Sequence, residues 1–107
     1  MGSQPTGTVT FLFTDVVGST ARWEADPQLM AEALALHDEV MRAAIDANDG
    51  YVFATGGDGF AVAFQRADHA VTAAADAQRS LRTAAWPGDQ QLEVRMGAHS
   101  GDTVERE

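Results

Sequence analysis

The chain has 107 residues, 45% of them hydrophobic and 21% charged, which suits one small globular domain and argues against disorder. Sixteen acidic residues against seven basic ones give a formal net charge of −9, which leaves no electrostatic footprint for nucleic acid or an anionic membrane surface. Cysteine is absent, excluding disulfides and thiolate metal sites and fitting a reducing, cytoplasmic setting, and neither a membrane-spanning apolar run nor a signal peptide is visible.

Residues 1–7 are polar and turn-rich and are expected to form a flexible N-terminus, with one domain over residues 8–107. "TVTFLFTD" (Thr8 to Asp15) is rich in β-branched and aromatic residues and reads as a strand buried on much of both faces. Gly18, Ser19 and Thr20 end it and cap a short helical turn running through Trp23. A long helix follows, with Asp26 as N-cap and Pro27 at its first position. Leu29, Ala33, Leu36, Val40 and Ala44 recur at helical spacing as its apolar stripe, and Asn48 and Gly50 supply the stop.

"YVFAT" and "FAVAF" read as two strands of a hairpin joined by Gly56-Gly57-Asp58-Gly59. The Ala-rich segment after it is a second long helix with Ala70, Val71, Ala74, Ala77 and Leu81 on one side, broken at Trp86-Pro87-Gly88. "LEVRMGAHSG" alternates Leu92, Val94 and Met96 with Glu93 and Arg95, a strand with one buried face. The order β-α-β-β-α-β predicts an α+β, ferredoxin-like core: an antiparallel sheet with both helices on one face and the first strand central.

That topology brings two carboxylates together, Asp15 at the end of the first strand and Asp58 at the hairpin tip. Such a pair can share one or two Mg²⁺ ions, which take oxygen ligands and usually keep phosphates. Gly57 and its neighbours leave room for a phosphate to reach backbone N–H groups, and Gly18, Ser19 and Thr20 can add donors. The same residues also make an ordinary turn, since Gly and Asp tolerate left-handed backbone, and Asp15 alone can cap the helical turn after it. Spacing by itself leaves the two readings level; the repulsion of an unneutralised carboxylate pair tilts slightly towards metal.

"FLFTDVVGST", then "VFATGGDGFAVAF", then "VRMGAHSGD" resemble the class III nucleotidyl cyclase catalytic domain, in the right order and over nearly the whole chain. The resemblance implies a metal-dependent conversion of ATP or GTP to the 3′,5′-cyclic nucleotide and pyrophosphate, in a bacterial-type domain working as a head-to-tail homodimer. It assigns Asp15 and Asp58, with the backbone carbonyl of Val16, to two divalent cations, Mg²⁺ or Mn²⁺. Two departures qualify it. Ala54 stands where the family carries a lysine that recognises adenine, so the usual base selector is missing. The chain also stops before the family's second base-recognising residue and the Asn and Arg that complete the site, so the isolated chain is expected to be inactive or very weak.

Gly57-Asp58-Gly59-Phe60 also resembles the GGDEF hairpin of diguanylate cyclases. That family places Glu where Gly59 stands and has an acidic first-strand pattern that "TDVVGST" lacks. A third reading is a catalytically inactive, cyclase-like regulatory or dimerisation module. His37, His69 and His99 lie on different elements and read as surface or satisfied histidines. Trp23 and Trp86 read as core or rim packing. The only cations are seven arginines, any of which can meet a phosphate.

Overall fold

The computed structural model describes residues 4–102. Four strands form one antiparallel sheet: β1 (Thr8–Val16), β2 (Tyr51–Gly56), β3 (Gly59–Phe64) and β4 (Val94–Asp102). Their order is β2-β3-β1-β4, so β1 is central and pairs with β3 on one side and β4 on the other. Helices α1 (Ser19–Ala25), α2 (Pro27–Ala47) and α3 (Ala67–Thr83) complete an α+β fold, with a 3₁₀ turn at Pro87–Asp89. The expected order of elements and the central first strand are both found, with α1 a seven-residue helix rather than a single turn.

Alternation along β1 separates two unlike sheet faces. Thr10, Leu12, Thr14 and Val16 point into a core with Phe60, Val62 and Phe64 of β3 and the buried faces of α2 and α3. The opposite face carries Val9, Phe11, Phe13 and Asp15, so β1 is buried on both sides only at its start, around Val9, and opens towards Asp15. Phe13 is 48% exposed and Phe53 46%, and together with Phe11 they make edge-to-face contacts across the open face. Thr10 and Thr14 are tolerated in the core because each hydroxyl has a partner, Ser100 Oγ at 2.8 Å and the Phe60 N–H at 3.2 Å.

The long helices begin and end largely where their punctuation says. The Asp26 side chain accepts the Leu29 N–H at 3.1 Å and Pro27 opens α2. At the other end the Asn48 amide donates to the Ala44 carbonyl at 2.8 Å. Gly50 is required by packing, since a Cβ there would lie 2.7 Å from Ile45 and 2.8 Å from Phe64.

The buried stripes match the expected ones in part: Ala33 and Ala44 on α2 and Ala70, Ala77 and Leu81 on α3 are buried as expected, and the rest are shifted. On α2 the inward residues are Met30, Ala33, His37, Met41, Ala44 and Ile45. Leu29, Leu36 and Val40 flank them, half-buried. On α3 they are Ala70, Ala73, Ala77 and Leu81, while Val71 is 66% exposed. In so Ala-rich a helix an isolated Val gives no reliable mark of the inner face. Trp86 packs on the core rim and donates its indole N–H to the Leu81 carbonyl at 2.7 Å; Trp23 is 38% exposed.

His37 also departs from expectation. It is fully buried against Phe60, its Nδ1 lies 2.9 Å from Asp38 Oδ1, and its Nε2 has no partner. His69 and His99 are more accessible, His69 lying 3.9 Å from an Asp49 carboxylate oxygen.

Candidate functional site

The site is built at one end of the open face, where β1 runs out and the β2–β3 hairpin turns. Thr14 is paired with Phe60, so Asp15 and Asp58 each lie just beyond the last rung that β1 and β3 share. The hairpin is tighter than its glycines suggest. Gly56 pairs with Gly59, leaving only Gly57 and Asp58 in the turn, with Gly57 at a φ of 57°. A Cβ on Gly59 would lie 2.5 Å from the Thr14 carbonyl oxygen, so the absence of a side chain there lets β3 close against β1 and brings the Asp58 turn to the end of β1.

Asp15 does not cap α1. That helix starts from Gly18, in left-handed conformation with a φ of 68° and no side-chain cap. The Asp15 carboxylate instead meets Arg95, its paired residue on β4. Arg95 Nη2 donates to Oδ2 at 2.7 Å and Nε to Oδ1 at 3.2 Å, a two-pronged guanidinium–carboxylate pair. The hydrogen bond from Arg95 holds the Asp15 carboxyl below the usual range, with desolvation opposing it and the Arg95 charge assisting, and the same pairing raises Arg95. Both side chains are accessible, Arg95 69% and Asp15 48%, and they line a shallow cleft with Phe13, Met96 and Gly97.

Arg95 is the residue that sequence reasoning missed. It was one of seven arginines, and only the β1–β4 register singles it out. The other expected residues divide into two groups. Val16, Gly57 and Asp58 sit beside Asp15 at the same end of the sheet, and Gly18, Ser19 and Thr20 form the turn that leads out of β1 into α1. Ala54 lies apart, on outer strand β2 just after an irregularity at Phe53, paired with Ala61 and thus in the same rung as Phe13. It faces the open side with no polar atom to offer. Among the described residues no group of three or more His, Cys, Asp or Glu side chains comes together, so any cation on Asp15 and Asp58 would take its remaining ligands from backbone, water or substrate.

This geometry sets up a competition. A cation on Asp15 must displace Arg95 from the same oxygens. Replacing Arg95 with Gln is therefore expected to tighten Mn²⁺ binding, by about 2- to 5-fold for so exposed a pair, and to move the Asp15 carboxyl titration up towards its ordinary range. Isothermal titration and carboxyl NMR read the two effects. Unchanged Mn²⁺ affinity would mean that Arg95 leaves Asp15 at no cost.

The profile of the adenylate and guanylate cyclase catalytic domain matches residues 1–106. Adenylate cyclases of Neurospora crassa and Schizosaccharomyces pombe are 35% and 37% identical over 94% and 95% of this chain, which spans only 5% and 7% of their lengths. A receptor-type adenylate cyclase of Leishmania donovani is 41% identical over 79% of the chain and 6% of its own length. These organisms are eukaryotes, whereas the motifs suggested a bacterial-type domain. A Trypanosoma brucei adenylate cyclase, solved in its monomeric state, superposes with a TM-score of 0.84 at 29% identity, covering 92% of this chain and 58% of that one. The guanylate cyclase domain of RhGC from Catenaria anguillulae, in complex with GTP, gives 0.79 at 20% identity over 92% and 59%, a likeness of fold.

Proposed function

Because the chain belongs to the adenylate and guanylate cyclase catalytic domain family, we propose that it supplies the metal-binding half of a nucleotidyl cyclase site acting on ATP or GTP. The observation that carries this is the register of β1 and β3, which puts Asp15 and Asp58 just beyond their last shared rung, at one end of the sheet. Their donor set suits the role: hard carboxylate oxygens on accessible side chains, with the Val16 carbonyl alongside, match Mg²⁺ or Mn²⁺. Bound cations would supply charge neutralisation at the phosphates and a lowered pKa for the ribose 3′-hydroxyl.

The chain's own groups have distinct parts in this reading. Asp15 and Asp58 would hold the cations and thereby fix where the triphosphate lies. The Gly57 turn and the Gly18–Thr20 turn let phosphate oxygens come close to backbone N–H groups. Arg95, once off Asp15, stays beside the triphosphate as a positive charge. The 3′-oxygen attacks the α-phosphorus and pyrophosphate leaves. Ala54 offers the base no hydrogen bond, and so withholds the discrimination between adenine and guanine that a polar side chain there would give. The exposed Phe13 and Phe53 give a second copy of the domain an apolar surface on which to complete the site, consistent with a head-to-tail dimer.

A second reading, a non-catalytic module of the same fold, is favoured by one specific feature: Asp15 is already neutralised by Arg95 without any cation. Chromatographic product analysis after incubation with Mn²⁺ and ATP or GTP separates the readings. With a complementing cyclase domain supplied, cyclic AMP or cyclic GMP is the expected product, while the chain alone is expected to make little or none. Cyclic di-GMP would indicate diguanylate cyclase chemistry instead. Nucleotide that binds with Mn²⁺ yet stays unconverted, even with a complementing cyclase domain present, would favour the non-catalytic module. Among the described residues no helix is long and apolar enough to cross a membrane.

A further inference from the structure

We infer that the cleft between α1, the last turn of α3 and the segment entering β4 is a second binding site, taking a phosphate group on Arg22 and Arg82. The argument starts from charge. In a chain of net charge −9, six arginines lie among the described residues, and most of them are already engaged. Arg66, Arg79 and Arg95 each meet a carboxylate, on Asp68, Asp76 and Asp15. The Arg42 guanidinium lies over the Phe60 ring, 5.2 Å from its centroid. Among the described residues Arg22 and Arg82 have no carboxylate within ion-pair distance, and both line one cleft of about 430 Å³.

The cleft is built to present them. Arg22 Nη1 donates to Gln90 Oε1 at 2.7 Å and Nη2 to the Gln91 carbonyl at 3.3 Å. Two of its five N–H groups are thus used to fix its position, and the rest remain to donate. The Gln78 amide donates to the Val94 carbonyl at 3.0 Å and closes one wall, while buried Leu81, Leu92 and Val94 form an apolar floor. A guanidinium held against an apolar wall, with a second arginine lining the same cleft, suits the paired oxygens of a phosphate. Among the described residues Glu93 is the one acid lining the cleft, and it forms no ion pair with either arginine; its charge is felt at Arg95 instead. The Val17 N–H donates to the Glu93 carbonyl at 2.8 Å, so the cleft abuts the turn out of β1 without sharing a residue with the carboxylate site.

Inorganic phosphate is the first probe, titrated at fixed sodium concentration and followed by backbone amide NMR. Saturable shifts are expected at Arg22, Gln78 to Arg82 and Gln91 to Val94, with a dissociation constant of about 1–10 mM. Arg82→Gln, an exposed change, should weaken binding at least 5-fold, and Glu93→Gln should tighten it. Glycerol 2-phosphate tells the source: binding tighter than inorganic phosphate points to a phosphomonoester, equal binding to the free ion, and both support the site. Shifts confined to Asp15–Gly18 and Gly57–Gly59, no saturation by 100 mM, or equal affinity in Arg82→Gln would overturn it. In that last case Arg82 would merely offset the dipole at the end of α3.

Discussion

Asp15→Ala and Asp58→Ala should each lower Mn²⁺ affinity by about 100-fold or more, since even outer-shell partners of a metal ligand are worth 10- to 100-fold. The fold should survive both changes. Asp15 is accessible and its one partner, Arg95, is itself on the surface, so the substitution strands no buried charge. Asp58 sits in a two-residue turn that Gly57 already accommodates. Titration calorimetry with Mn²⁺, together with circular dichroism, is the direct check. Wild-type affinity in both variants would sink the carboxylate assignment, whereas loss in only one would reduce the site to a single cation. Arg95→Gln acts on the same oxygens in the opposite direction, so the three variants together separate a lost ligand from a lost competitor.

Gly59→Ala should be the most damaging single methyl in the sheet. Its Cβ would sit 2.5 Å from the Thr14 carbonyl oxygen, and that oxygen belongs to the central strand and cannot swing aside as a side chain would. The strands must part locally, weakening the bond from the Phe60 N–H to Thr14 Oγ1 that closes the end of the β1–β3 ladder. Overpacking of this kind costs about 2–3 kcal/mol, which for a domain of this size lowers the melting midpoint by about 10–20 °C. Because the same contact brings the Asp58 turn to the end of β1, Mn²⁺ affinity should fall as well, well below the melting transition. A stable Gly59→Ala variant with unchanged Mn²⁺ binding would show that the close approach of β1 and β3 plays no part in setting the site.

The parts of the fold that were legible in the sequence are those written in local signals. Asp26-Pro27 marks the start of α2, the glycines at residues 56, 57 and 59 mark the hairpin, and the motif around Asp15 locates the end of β1. What was not legible depends on register between distant segments. Asp15 and Arg95 are 80 residues apart, and no local pattern says that they face each other across β1 and β4. The same holds for the open face. Phe11 and Phe13 are as apolar as Leu12, so composition could not tell which alternate set would remain uncovered. On α2 the inward stripe runs one position away from the leucines, through Met30, His37 and Met41. Polarity argues against burying His37, and only the packed structure shows it at the interface with Phe60.

The openness of the Asp15–Arg95 pair has a consequence for how the site responds to its surroundings. Attraction between charges that face water is screened over a Debye length of about 8 Å at physiological ionic strength and about 3 Å at 1 M salt. The competitor for the cation is therefore strongest in dilute buffer and fades as electrolyte is added. The advantage of Arg95→Gln over the native chain should shrink in step, until at molar salt the two bind Mn²⁺ almost equally.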